Sequence, residues 1–150
     1  MRTSAARPGR TAPPAARAER KAPPTVLVID DSDIAREEMR RLLSAAGLQV
    51  LTLGSPIGAT RAILDGNVDV VVIDVLMPGM RGDRLAALFR SNPRFKSLGV
   101  VLVSGENPDE LSRLLEETRA SAVVQKSDLR QLVSAVQRVL KPRASGAASG

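Results

Sequence analysis

Thr25-Val-Leu-Val-Ile29 followed by Asp30-Asp31, and Asp69-Val-Val-Val-Ile73 followed by Asp74, are the stretches on which the reading of this chain turns. Each is a short run of valine, isoleucine and leucine without polar alternation, as in a parallel strand buried on both faces. Each run ends in carboxylate. If the two are neighbouring parallel strands, three carboxylates converge at one edge of a sheet. Unit charges ~4 Å apart repel there by roughly 4 kcal/mol at an effective dielectric near 20. A hard divalent cation held by oxygens, Mg²⁺ first among them, relieves that repulsion and leaves coordination sites open for a phosphoryl group.

Three more apolar runs, at 48–53, 98–103 and 121–125, alternate with amphipathic stretches. The first amphipathic stretch predicts a helix over about 33–46, with Ile34, Met39, Leu42 and Leu43 inward. Its Arg36, Glu37, Glu38, Arg40 and Arg41 point mostly outward, and Gly47 stops it. Ser55-Pro56 and Asn107-Pro108 each pair a capping residue with proline at the first helical position, so helices are expected to begin there. Further helices fit 83–91 and 128–140. Five β/α units with right-handed crossovers imply an α/β fold, a doubly wound five-stranded parallel sheet with helices on both faces.

A chain of 150 residues suits one domain with a proper core. It has no Cys and no His, which excludes disulfides, thiolate or imidazole metal ligation and imidazole acid/base catalysis. No stretch approaches the roughly 18 apolar residues of a membrane helix, and charges stand where a signal peptide needs an apolar segment, so a soluble, cytoplasmic protein is expected. The net charge is +6, but residues 1–24 carry +5 of it, residues 141–150 carry +2, and residues 25–140 carry −1. The Ala/Arg/Pro-rich segment 1–24 has almost nothing to bury and reads as a disordered basic arm. It is either a solvated leader or an arm for an acidic partner or nucleic acid. Residues 141–150, ending Ala-Ser-Gly-Ala-Ala-Ser-Gly, read as a flexible tail.

Ligands of open α/β sheets bind beyond the carboxyl ends of the strands. The runs deliver Asp30-Asp31-Ser32, Asp74, Ser104-Gly105-Glu106 and Lys126 to that edge. An acidic triad with a hydroxyl and an ammonium makes a phosphoryl site. Its carboxylates hold the metal, Asp74 attacks phosphorus, and Ser104 and Lys126 meet the oxygens.

The joint pattern resembles the receiver domain of two-component response regulators, of the stand-alone, chemotaxis-regulator-like kind. It consists of the Asp pair, Asp74 followed by Val-Leu76-Met77-Pro78-Gly79-Met-Arg-Gly82, Ser104 thirty positions later, and Lys126 twenty-two beyond that. It covers about residues 25–140. The resemblance implies a flavodoxin-like sheet of order 2-1-3-4-5. It further implies that Asp74 is the phosphoacceptor, charged by a histidine kinase or phosphotransfer protein. Asp31 and Asp74 would bind Mg²⁺ directly and Asp30 mainly through water, with the backbone carbonyl of Leu76 completing the set. Lys126 would pair with the phosphate, and Ser104 would move toward it after transfer. Such a protein is not a turnover enzyme, although with Mg²⁺ it assists its own phosphotransfer and dephosphorylation. About ten residues after the last helix leave no room for an output domain, so the signal is expected to pass in trans to another protein.

Two positions depart from the family pattern. Val123 stands where Tyr or Phe is usual, and the chain has no Tyr or Trp, so an aromatic rotamer switch is excluded. Ser127 replaces the proline that usually follows the lysine. A non-proline cis bond costs ~2.5 to 4 kcal/mol, so Lys126-Ser127 is expected to be trans, with Ser127 or Asp128 available to cap the last helix. Phe89 and Phe95 read as packing residues. Glu106 is either a solvated charge or a group at the phosphate's entrance. Two other functions compete. A pseudo-receiver would act as an interaction module without phosphorylation. A haloacid-dehalogenase-type phosphatase is suggested by Asp31-Ser-Asp33, but leaves Asp74 and Met77-Pro78-Gly79 unexplained.

Overall fold

Val26 and Val28 face one side of β1 (Thr25–Ile29) and Leu27 and Ile29 the other, and all four are fully buried. The computed structural model describes residues 22–149, with side chains described through Lys141; the expected basic arm lies outside the described residues except for its last three positions. Four further strands follow: β2 (Gln49–Leu53), β3 (Val70–Asp74), β4 (Gly99–Ser104) and β5 (Ala122–Gln125). All pairs are parallel and the order is β2-β1-β3-β4-β5, so the doubly wound sheet is as expected.

The alternation of side chains along each strand splits the core into two layers. On one face, Val26, Val28, Val70, Val72, Val101 and Val103 meet Met39 and Leu43 of α1 (Asp33–Ala45) and Leu132, Ala135 and Val136 of α5 (Arg130–Ser149). The opposite layer is covered by α2 (Ala59–Gly66), α3 (Gly82–Ser91) and α4 (Pro108–Thr118). Phe89 and Phe95 meet edge to face in that layer, with ring centroids 5.4 Å apart, which bears out their reading as packing residues.

Local chemistry sets the helix ends. Ser32 Oγ accepts the Ala35 N–H at 3.2 Å and caps α1. Asn107 Oδ1 accepts the Glu110 N–H at 2.9 Å, and Pro108 opens α4 as expected. Ser55-Pro56 does not start a helix. Its hydroxyl accepts the Ile57 N–H at 3.1 Å, and Gly58 has φ 86°, a left-handed conformation that no residue inside an α-helix adopts, so α2 begins only at Ala59.

Other expectations need correction. Ile34, expected inward, is 83% exposed, because it lies in the first turn of α1, beyond the edge of the sheet that Met39 and Leu43 cover. β2 is not buried on both faces. It is one of the sheet's two edge strands, and Gln49, Leu51 and Thr52 are exposed. The last helix was expected over 128–140. Its backbone continues to Ser149, through Pro142 and Gly146.

Candidate phosphoryl and metal site

Asp30, Asp31 and Asp74 meet where β1 and β3 end. β1 and β3 are adjacent and in register through Ile29 and Ile73, so their next residues emerge side by side. One carboxylate oxygen from each aspartate lies within 4.8 Å of the others. Asp30 and Asp74 are buried, while Asp31 is exposed to solvent. Asp30 Oδ1 accepts the Ser32 N–H at 2.8 Å, which turns the chain into α1. Its Oδ2 is buried and has no hydrogen-bond donor.

Lys126, in a 3-10 turn directly after β5, reaches across to this group. Its Nζ lies 3.2 Å from Asp74 Oδ2 and 3.5 Å from Asp30 Oδ2. The second distance is an ion pair without a hydrogen bond. Burial raises the pKa of Asp74, the Asp30 charge adds to the rise, and Lys126 and the Leu76 N–H oppose it only in part. Burial alone would lower the Lys126 pKa, but Asp30 and Asp74 outweigh it and the net shift is upward. One ammonium therefore faces two buried carboxylates. The Asp30 oxygen that accepts no hydrogen bond, the clustered hard donors and the remaining negative charge fit a divalent cation of the Mg²⁺ type.

Two glycines shape the surroundings. A Cβ on Gly82 would lie 2.1 Å from the Asp74 carbonyl oxygen, so α3 can start against β3 only with glycine there. Gly79 has φ 87° in the loop between them, which suits the shaped loop expected of Met77-Pro78-Gly79. Leu76 in this loop is 57% exposed, whereas Met77 packs into the core. Ser104 ends β4 next to Val103, which pairs with Asp74; its buried Oγ accepts the Glu106 N–H at 3.1 Å and keeps its own proton to donate. Glu106 is half-buried, and its carbonyl accepts the Gln125 amide at 3.3 Å. Among the described residues no peptide bond is cis, so Lys126-Ser127 is trans as expected. Val123 is partly buried against the layer of α2, α3 and α4.

One residue was misread from sequence. Arg36, assigned to the outward face of α1, folds back so that its guanidinium donates to the Asp30 carbonyl at 2.6 Å and pairs with Asp33. It thereby fixes the backbone that carries the acidic pair. Helical periodicity could not show this, because the long side chain reaches past the helix to a strand end.

The receiver-domain model of response regulators matches residues 26–137. This chain belongs to the response regulator receiver domain family. Among its relatives in rice, the two-component response regulator ORR6 of Oryza sativa subsp. japonica is 34% identical over 122 residues, covering 75% of this chain and 70% of the relative. The two-component response regulator ORR3 of Oryza sativa subsp. indica is 38% identical over 96 residues, 63% of this chain and 73% of the relative. Among solved structures, the chemotaxis protein CheY4 of Vibrio cholerae superposes with a TM-score of 0.70 at 26% identity, covering 79% of this receiver and 99% of that chain. Receiver domains are phosphoacceptors of two-component signalling, charged by histidine kinases or phosphotransfer proteins, and they bind Mg²⁺ through an acidic pocket. No helix among the described residues is long and apolar enough to cross a membrane.

Proposed function

We propose that this receiver accepts a phosphoryl group on Asp74 from a histidine kinase or phosphotransfer protein and signals to a protein partner. The observation that carries the reading is the contact of one lysine, Lys126, with two buried aspartates, Asp30 and Asp74, beside an exposed third, Asp31. Asp30, Asp31 and Asp74, with the Leu76 carbonyl, would hold Mg²⁺. When bound, the ion neutralises the carboxylates and the oxygens of the incoming phosphoryl group. An Asp74 oxygen forms the bond to phosphorus as the donor's P–N bond breaks; an acyl phosphate results and the imidazole leaves as the neutral base after taking up a proton. Lys126 then pairs with the phosphoryl oxygens. Ser104 donates its hydroxyl proton to one of them, and Glu106, two residues beyond it, lies where it can affect the entry of hydrolytic water. With Val123 in place of an aromatic, the change is passed on by the Ser104–Asn107 loop and α4.

The test is incubation with Mg²⁺ and acetyl phosphate, followed by mapping of the modified residue. Label on Asp74 is the expected result. Label on Asp31 would point to phosphatase chemistry, and absence of label to an interaction module that acts without phosphorylation.

A further inference from the structure

Asp30 is held by partners from β2, from the start of α1 and from the turn after β5. Its N–H donates to the Leu53 carbonyl at 3.1 Å, its Oδ1 accepts the Ser32 N–H, and its Oδ2 faces Lys126 as an ion pair. Its carbonyl, one residue past the end of β1, accepts from the Arg36 guanidinium at 2.6 Å. Asp31 is placed differently. It is exposed, and among the described residues no hydrogen bond or ion pair holds its carboxylate. The direction in which its side chain leaves the backbone is therefore set by the peptide that joins it to Asp30. That peptide is planar, so holding the Asp30 carbonyl holds the Asp31 N–H and Cα in the same plane.

Arg36 reaches that carbonyl without joining the carboxylates. One arm of its fork donates to the carbonyl, and the other pairs with Asp33, whose side chain is 88% exposed and lies outside the triad. The guanidinium is planar and always charged, so fixing one arm on Asp33 orients the other. Gly54, directly after β2, leaves the space for it: a Cβ there would lie 3.2 Å from Arg36 Nη1, tighter than ordinary contact. A cation aimed at the carboxylates themselves competes with a divalent ion, as the Lys126 ammonium does. Arg36 has its charge matched by Asp33 and contributes geometry.

We propose that Arg36 is a positioning residue for the metal: by holding the Asp30–Asp31 peptide it aims the Asp31 carboxylate at the ion, and so sets the affinity for Mg²⁺. The ion it serves is the one proposed above for Asp30, Asp31, Asp74 and the Leu76 carbonyl, so this role rests on that reading. The sign of the effect separates it from two simpler roles for the same contacts. If Arg36 acted through its charge, removing it would relieve repulsion of the ion and tighten Mg²⁺ binding. If it only pinned the start of α1, its loss would lower the melting temperature and leave the Mg²⁺ dissociation constant of the folded protein unchanged. Acting through position, its loss weakens the binding.

The test is isothermal titration calorimetry of Mg²⁺ into the full chain, wild type against Arg36→Met and Arg36→Lys, with melting in EDTA to establish that each variant is folded. Arg36→Met is expected to raise the Mg²⁺ dissociation constant about tenfold, the scale of loss when a group that orients a metal ligand is removed. Arg36→Lys, which keeps a donor for the carbonyl but not the fork, should fall between the two. With acetyl phosphate, the Mg²⁺ concentration that gives half the maximal labelling rate should rise in the same proportion, while the rate at saturating Mg²⁺ stays that of the wild type. A dissociation constant that Arg36→Met leaves unchanged or lowers would overturn the proposal, as would a lysine variant that binds no more tightly than the methionine one. A wild type that takes no label on Asp74 would end the phosphoacceptor reading, with the calorimetry still deciding the role of Arg36; a wild type that binds no Mg²⁺ would end both.

Discussion

Asp74 is held in an environment that disfavours its charge, and this has a measurable consequence. Its raised pKa means that the neutral acid favours the folded state. That contribution is complete below the unfolded-state value and is lost as pH rises through the folded value. In EDTA, wild type and Asp74→Asn should therefore melt together at low pH. As pH rises through the raised value, the variant should become the more stable, by about 2 to 4 °C for each kcal/mol of relieved charge. Added Mg²⁺ should stabilise the wild type much more than Asp74→Asn, and an equal metal response, read by thermal melting, would place the ion elsewhere. The acids, the hydroxyl and the lysine were all legible as residues at the ends of apolar runs. What could not be read was how Asp30 and Asp31 differ. A repeated aspartate gives no sign that one is buried and paired with a lysine while the other is in water.

Helix boundaries followed local chemistry wherever the side chain and the backbone agreed. Asn107-Pro108 combines a side-chain acceptor with a residue whose φ is already helical, and α4 starts there. Asn107→Ala should accordingly destabilise the domain by about 1 kcal/mol, seen as a shift in the urea midpoint at unchanged slope. Ser55-Pro56 is the same kind of pair but is followed by Gly58 in a left-handed conformation, and the helix is delayed to Ala59. The difference lies in how the chain must turn from β2 to reach the sheet, which a dipeptide does not encode. Ile34 makes the same point for periodicity, which gives the angle of a side chain around a helix but not how far the neighbouring sheet extends beneath it.

Leu27 and Leu51 are direct partners across the β1–β2 pair, yet the first is fully buried and the second 41% exposed. Leu27→Ala should cost about 2 to 5 kcal/mol through lost burial and a residual cavity. Leu51→Ala, at the open edge, should cost about 1 kcal/mol or less, and equal losses on denaturant unfolding would contradict this view of the sheet. Apolar runs and their spacing were sufficient for the fold class, because only two-sided burial tolerates so many consecutive branched side chains and only crossover helices can supply it. They also brought the candidate residues Asp30, Asp31, Asp74, Ser104 and Lys126 to one edge, since the ends of parallel strands lie together, but gave no sign of Arg36. Strand order was legible only through resemblance to a family, and hydrogen-bonded pairing in three dimensions decided which strand became the exposed edge. The same folding brought Arg119, which follows α4, near Arg90 of α3 and turned Arg36 back onto Asp30. Burial and electrostatic coupling depend on distances between segments far apart along the chain, and those distances exist only once the layers have packed.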